Sequence, residues 1–139
     1  MHESILTGMR DLKTAYASAM EPVARQYGMT PIEMEILLFL HNNPAQDTAQ
    51  DICDLRGLAK SNISKAVERL GEMGYLTRAC DSIDRRVVRL KLITAALPLV
   101  EAAQAARRAF FQTLLYGVTD EEYAMLRSIL QKIHGNLMH

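Results

Sequence analysis

The spacing of the apolar residues changes at Gly74, and this change restricts the fold more than any other feature of the sequence. Over residues 60–73 the apolar residues recur at steps of three and four, which is typical of one face of an α-helix. Over 75–80 and again over 87–92, apolar and polar residues alternate, which indicates two half-buried strands. The polar segment 81–86 separates the strands and contains adjacent arginines, so the sequence predicts a β-hairpin with a basic tip.

A second short amphipathic stretch, residues 48–56, precedes this helix, and Gly57 lies in the connection between the two. A helix-turn-helix needs such a glycine because the chain reverses sharply there and glycine adopts positive φ without steric cost. A glycine alone is also compatible with any other helical hairpin. We therefore expect two short helices joined by a tight turn, with Ile52 and Leu55 of the first helix facing inward.

Longer amphipathic stretches flank this segment. Apolar residues recur at helical spacing over 5–27, where Gly28 ends the pattern, and again over 99–115 and 123–137. These stripes are longer than a small domain can cover, so we expect a second copy of the chain to bury them. A single chain that folds the stripes onto itself is the alternative.

Capping signals mark the starts of two further helices. Thr30, Pro31 and Glu33 provide a hydroxyl cap, a proline in the first turn and a carboxylate three residues after the cap, which predicts a helix to about His41. A threonine and a glutamate have the same spacing at 119 and 122. The predicted order of elements is α-α-α-α-β-β-α-α.

The composition is that of an ordinary globular domain. Of the 139 residues 49% are apolar, which is enough for a core of normal size. No apolar run approaches the roughly 18 to 20 residues of a membrane span, and the N-terminal segment lacks the apolar stretch of a signal peptide. Two cysteines are too few for a disulfide-stabilised secreted scaffold. We therefore expect a soluble cytoplasmic protein that does not bind membranes.

Sequence motifs for catalysis and for metal binding are absent. The chain has no P-loop, no GxGxxG and no GxSxG, and its four histidines, at positions 2, 41, 134 and 139, form no HxxxH or HExxH pattern. We expect no catalytic residue, no metal and no cofactor.

The charges are unevenly distributed along a chain whose net charge is zero. The segment 56–91 contains nine basic and four acidic residues, so it carries +5 while the remainder carries −5. A basic middle within an acidic frame favours a protein that presents one face to a polyanion. A solvated charged face without function is the alternative.

Four motifs follow one another between residues 60 and 94. They are Lys60-Ser61-Asn62-Ile63-Ser64-Lys65-Ala66-Val67-Glu68-Arg69-Leu70, Gly74-Tyr75-Leu76, Asp84-Arg85-Arg86 and Lys91-Leu92-Ile93-Thr94. The chain resembles the MarR/SlyA family of bacterial transcriptional regulators in these motifs, in the spacing between them and in the length of the sequence. The resemblance covers nearly the whole sequence and is best over 30–101. The chain departs from the family at Ile83, where an arginine is frequent, and after Thr94, where the usual glycine is missing.

The resemblance implies a winged helix-turn-helix with long flanking helices, a mainly α (α+β) fold. It assigns residues 1–29 to an N-terminal dimerisation helix, 30–94 to a DNA-binding lobe and 95–139 to C-terminal dimerisation helices of one compact chain. The implied function is that of a homodimeric transcriptional regulator, not an enzyme, which binds a pseudo-palindromic operator in double-stranded DNA.

The residues of the central segment have the chemistry of DNA recognition. Polar side chains opposite the apolar stripe of the second short helix would contact base edges in the major groove, while basic residues would contact phosphates and the minor groove. The expected contacts are Ser61, Asn62, Ser64 and Lys65 to bases, Arg56, Lys60 and Arg69 to phosphates, and Arg85 and Arg86, with Asp84 orienting an arginine, to the minor groove. The alternatives are helix capping by Ser61 and Asn62 and a solvated turn at the hairpin tip.

The resemblance also implies a small aromatic effector that binds between the dimerisation helices and the DNA-binding lobe. Soft or aromatic side chains that could contact it are Met9, Tyr16, Met20, Met34 and Phe39, for which an ordinary place in the core is the alternative. Cys53 and Cys80 suggest thiol-based redox sensing as a rival mode of regulation. A third reading is a winged-helix module that binds protein, or nucleic acid without sequence preference.

Overall fold

The computed structural model describes residues 1–138, and His139 lies outside the described residues. Its helices and strands are α1 (His2–Gln26), α2 (Pro31–Asn42), α3 (Ala49–Arg56), α4 (Lys60–Glu72), β1 (Leu76–Cys80), β2 (Val88–Leu92), α5 (Leu97–Leu114) and α6 (Asp120–Leu137). The predicted order of elements and the mainly helical winged fold are confirmed. The chain divides into two compact units, Met1–Arg108 and a second that begins at Ala109. The functional division at residues 29 and 94 stays a prediction.

Helix α2 lies at the centre of the first unit. Seven of its twelve residues are buried, and it packs against α1, α4 and β2. Ile36, Leu37 and Leu40, which share one side of the helix, are buried, and Leu38 is buried as well, whereas Ile32 is half-buried. A helix surrounded by other elements is buried on most of its circumference. More of its residues therefore belong to the core than the single apolar face expected of a surface helix.

The helix starts and the tight turn form as the sequence predicts. The Thr30 hydroxyl accepts a hydrogen bond from the Glu33 amide while the Glu33 carboxylate accepts one from the Thr30 amide, which completes a capping box. Thr48 and Asp51 form a second capping box at the start of α3. Gly57 follows α3 with φ +68°, in the left-handed region that favours glycine.

The helix-turn-helix packs through one face of each short helix. In α4 the buried residues are Ile63, Ala66, Val67 and Leu70, as the periodicity predicts. In α3 Ile52 is buried, but the expectation that Leu55 faces inward is wrong, because its side chain is 58% exposed. Helix α3 has only eight residues and packs against α4 along one side, which leaves room for one inward residue per turn.

Strands β1 and β2 form an antiparallel hairpin, called the wing below together with the loop 81–87 between its strands. Leu76 pairs with Leu92 at its base and Cys80 with Val88 near its tip. Leu76 and Leu90 are buried, and the base of the wing packs against α4 and α2. The wing is therefore attached to the core at its base.

Within the second unit, α6 has no buried residue. Its exposed apolar side chains include Tyr123, Leu126, Leu130, Ile133 and Leu137. In the first unit the N-terminal half of α1 also exposes apolar side chains, among them Ile5 and Met9. None of the helices in residues 1–138 is both long and apolar enough to cross a membrane.

We expect Gly57→Ala to lower the free energy of unfolding by about 1–2 kcal/mol, since a Cβ is strained at positive φ. Gly8→Ala is the matched control, because Gly8 lies within α1 without positive φ and with open space around it. That substitution should raise the free energy of unfolding by up to about 1 kcal/mol. Urea denaturation of both variants checks the opposite signs, and an equal effect of the two would contradict this account of the turn.

Candidate nucleic-acid interface

Helix α4 presents a polar face to solvent, called the α4 face below. It consists of Lys60, Ser61, Asn62, Ser64 and Lys65, all of them exposed. The N-cap of α4 is Ala59, which has no side-chain capping bond, and the first turn contains no acidic residue. The uncapped amides of that turn carry the positive end of the helix dipole, so this end of α4 attracts anions. Neither Ser61 nor Asn62 is the N-cap of α4, so the structure does not support the alternative that they serve as helix caps.

Arg69 joins α4 to α2 instead of pointing freely to solvent. Its guanidinium donates to Glu33 Oε1 at 2.6 Å and to the Gly28 carbonyl at 3.1 Å. The Glu33 side chain is 4% exposed, so its charge needs a cation close by. The sequence predicted a phosphate contact for Arg69; the structure gives the guanidinium a partner inside the protein because the buried carboxylate requires it.

Arg56 is also paired within the protein. Its guanidinium donates to Glu35 Oε2 at 2.7 Å, and Arg107 of α5 donates to the same oxygen at 2.7 Å. Tyr16 of α1 donates from its hydroxyl to Glu35 Oε1 at 2.6 Å and accepts from Arg107 Nε at 2.9 Å. Burial, together with the hydrogen bond to Glu35 and its negative charge, raises the pKa of Tyr16, so the phenol keeps its proton and remains a donor.

Aspartates organise the tip of the wing. Asp81 accepts hydrogen bonds from the amides of Asp84, at 2.9 Å, and Ile83, at 3.0 Å. Asp84 accepts from the Arg86 guanidinium at 3.1 Å, which is the pairing expected of Asp84. These hydrogen bonds hold Ile83 and Arg86 outward at the tip. Ile83 is 94% exposed, and the side chain of Arg86 is 91% exposed.

Arg89 attaches the wing to the loop before α3. It donates to Asp47 Oδ1 at 2.8 Å and to Asp81 Oδ1 at 3.1 Å, while the Leu90 amide donates to the Asp47 carbonyl at 2.7 Å. The sequence contains no local signal that Asp47, Glu33 or Glu35 positions an arginine. Their partners are distant along the chain, so no local spacing could indicate them.

The basic residues of segment 56–91 thus fall into two groups. Arg56, Arg69, Arg86 and Arg89 form ion pairs within the protein. No ion pair within residues 1–138 involves the other group, which consists of Lys60, Lys65, Arg78, Arg85 and Lys91. These five cations, on α4 and the wing, are available to neutralise phosphates.

The side chains expected to contact an effector differ widely in their exposure. Met20 and Met34 are buried in the core at 2% and 1% exposure, whereas Met9 is 62% exposed on α1. Tyr16 is half-buried in the network around Glu35, and Phe39 lines a cleft of about 260 Å³. The other residues that line this cleft are Asn42, Asn43, Leu55, Arg56 and Arg107.

The cysteines and possible metal ligands are dispersed. Cys53 is half-buried against the core and Cys80 is exposed on β1, and both are free thiols. Over residues 1–138, no three His, Cys, Asp or Glu side chains are grouped so that they could hold a metal ion.

Comparison with known proteins finds similarity in part of the sequence and in the fold. Residues 27–86 match the MarR family model. The fold is similar to that of the MarR protein from Peptoclostridium difficile DA00132, with 20% identity, coverage of 96% of this chain and 86% of that chain, and a TM-score of 0.83. The transcriptional regulator SlyA gives 18% identity, coverage of 96% and 93%, and a TM-score of 0.82. The S. aureus MepR–DNA complex gives 21% identity, coverage of 92% and 94%, and a TM-score of 0.77. The predicted resemblance to the MarR family and its winged helix-turn-helix fold is confirmed.

We expect the wing tip to lose its order only in strong acid. The Asp84 and Ile83 amides, followed by the Arg89 guanidinium, hold the pKa of Asp81 below its ordinary value of 3.8. Because the pKa of Asp81 is lowered in the folded state, these contacts stabilise the tip at any pH above the ordinary pKa. They are lost as the pH falls through the lowered pKa. NMR shifts of the Ile83 and Asp84 amides should therefore titrate with a midpoint below 3.8.

The control for this titration is Asp81→Asn, which should remove the contribution of the Asp81 carboxyl to both amide shifts and leave only that of Asp84. A midpoint at or above the ordinary aspartate value in the unmodified protein would contradict the hydrogen-bonded tip.

Proposed function

We propose that this chain, whose winged helix-turn-helix is that of the MarR family, is a transcriptional regulator that binds operator DNA as a homodimer. The observation that carries the proposal is the α4 face, which combines neutral hydrogen-bonding side chains with free lysines at an uncapped helix start. Serine and asparagine both donate and accept, so they can distinguish base pairs in the major groove. The lysines and the helix dipole supply attraction to phosphates on either side.

The wing supports contact with the adjacent minor groove. Arg85 is exposed at the tip and has no ion pair within residues 1–138. Arg86 is held by Asp84, so its position on the hairpin is defined before DNA binds. An arginine presented in this way can enter the narrow, electronegative minor groove. Ile83 takes the position where the family frequently has another arginine, so we assign cation contacts at the tip to Arg85 and Arg86.

The exposed apolar side chains of α1 and α6 support a homodimer. Ile5 and Met9 of α1, like Ile129 and Ile133 of α6, are about half exposed, and contact with a second copy of the chain would remove these side chains from water. Twofold symmetry is the commonest arrangement of such dimers. Two α4 faces about one DNA turn apart, roughly 34–36 Å, would then contact the two halves of a pseudo-palindromic operator.

The cleft lined by Phe39, Arg56 and Arg107 is the site we propose for a small aromatic effector. It is lined by the Phe39 ring and by Leu55, and Arg56 and Arg107, which each donate to Glu35 Oε2, would donate to an acidic group of the effector from their other N–H groups. This assignment replaces Met20 and Met34 as contacts, because both are fully buried.

Two alternative functions would depend on other features of the protein. A non-specific nucleic-acid module would need the free cations but not the neutral donors and acceptors of the α4 face. Redox regulation through Cys53 or Cys80 would need an oxidised state with altered operator affinity. We place the protein in the cytoplasm, where it would meet both DNA and effector, and assign it no catalytic step.

The test is binding to its own promoter region against scrambled DNA of equal length, over a salt series. The unmodified protein should prefer the promoter and bind as two chains per duplex. Asn62→Ala should cost about 1–3 kcal/mol on the promoter and little on scrambled DNA. Arg85→Ala should weaken binding to both DNAs and reduce the salt slope by about 1.

The matched control is Lys13→Ala, which removes an exposed cation from α1, outside the α4 face and the wing. It should bind like the unmodified protein. Equal binding to promoter and scrambled DNA, with no effect of Asn62→Ala, would contradict operator recognition and favour the non-specific module.

A further inference from the structure

Four helices of the first unit meet at the carboxylate of Glu35. Tyr16 of α1 donates to Oε1, while Arg56 of α3 and Arg107 of α5 both donate to Oε2, and Glu35 itself belongs to α2. The Arg107 guanidinium also lies 5.8 Å from the centre of the Tyr16 ring. This network differs from the exposed ion pairs of the chain, which join neighbours on one helix or one turn.

We propose that Glu35 is a positioning residue for operator binding, which it serves by holding Arg56 and thereby the end of α3 that leads into α4. The proposal rests on the proposed function, since it concerns how the α4 face is oriented towards DNA. Glu35 does not contact DNA in this account, and neither does Arg56.

The place of Arg56 in the chain makes it suited to this role. It is the last residue of α3, Gly57 follows it with positive φ, and α4 begins at Lys60. A displacement of the α3 end therefore reaches the first turn of α4 through only three intervening residues. That first turn carries Ser61 and Asn62, so a small rotation would move the side chains proposed to contact bases.

The burial of the network gives it a defined geometry. The Glu35 side chain is 14% exposed, that of Arg107 22% and that of Arg56 40%. Charged hydrogen bonds in a partly buried site are stronger and more directional than surface ion pairs, and loss of one partner leaves the other charge poorly solvated. Arg107 and Tyr16 fix the carboxylate from the side of α5 and α1, so Arg56 binds to an acceptor that is already oriented.

The competing role for Arg56 is the phosphate contact predicted from the sequence. The two roles differ in what Glu35 does. If Arg56 contacted phosphate, Glu35 would compete with DNA for its guanidinium, and removal of the carboxylate charge would release a cation. If Arg56 acts through α3, removal of either Arg56 or the Glu35 carboxylate lowers operator affinity.

A double-mutant cycle with Glu35→Gln, Arg56→Ala and the double variant separates these roles. We expect each single variant to lose operator affinity by roughly 5- to 30-fold, the range of coupling between directly bonded charged residues. The double variant should lose no more than the weaker-binding single variant, because both substitutions break the same contact. The salt slope should stay as in the unmodified protein, since no phosphate contact is lost.

Amide hydrogen exchange measured without DNA provides a second readout. Exchange over residues 57–63 is read at the amides of Gly57 and Ile63, which donate to the carbonyls of Cys53 and Ala59. It should accelerate in Glu35→Gln and in Arg56→Ala, whereas Arg56→Lys should restore part of the protection by keeping a cation near Glu35. Glu21→Gln is the matched control, because it breaks the exposed Glu21–Arg25 pair within α1. It should change neither exchange at 57–63 nor operator affinity.

The proposal is overturned if Arg56→Ala reduces the salt slope by about 1 while Glu35→Gln leaves or improves operator affinity. It is also overturned if exchange at residues 57–63 is the same in Glu35→Gln as in the unmodified protein. Failure of the proposed function gives a different result, because the unmodified protein itself would then not distinguish operator from scrambled DNA.

Discussion

The burial of α2 is the constraint on which the rest of the structure depends. Its apolar residues from Met34 to Leu40 contribute more to the core than any other segment, and α1, α4 and β2 pack around it. Its two glutamates are two positions apart, which turns them to nearly opposite sides of the helix. Glu33 holds Arg69 of α4, and Glu35 holds Arg56 of α3 together with Arg107 of α5. One buried helix thus holds α4 by apolar packing and by the Glu33–Arg69 ion pair, and α3 by the Glu35–Arg56 ion pair.

This arrangement divides the basic residues by role. Cations that are paired inside the protein set the positions of α3, α4 and the wing, and unpaired cations remain on the surfaces that these elements present. A net charge of +5 over the central segment does not distinguish the two kinds, although in the proposed function only the second kind contacts phosphates. A rigid scaffold with free cations at its edge suits DNA recognition, because little conformational entropy is lost on binding.

Local signals were sufficient to predict much of the fold and part of the site. The threonine caps, the left-handed Gly57, the start of the strands after Gly74 and the outward α4 face all depend on residues within a few positions of one another. The roles of Arg69 and Arg56 could not be predicted in this way, since Glu33 and Glu35 lie 36 and 21 residues away. The burial of Met20 and Met34 has the same cause, because it depends on which helices pack around them. The sequence pattern does not show which distant elements pair, and this pairing decides that Met20 and Met34 lie in the core, while contact with an effector stays a prediction.

The central claim is that the α4 face, held by α2, contacts bases of the operator. Photo-crosslinking tests it most directly, with a photoreactive amino acid introduced at Ser61 and, as a reference, at Glu21 on α1. We predict crosslinks from position 61 to bases at two places in the operator about one helical turn apart, and none from position 21. Protein that binds the operator with full affinity but gives no base crosslink from position 61, or equal crosslinks from both positions, would contradict the account.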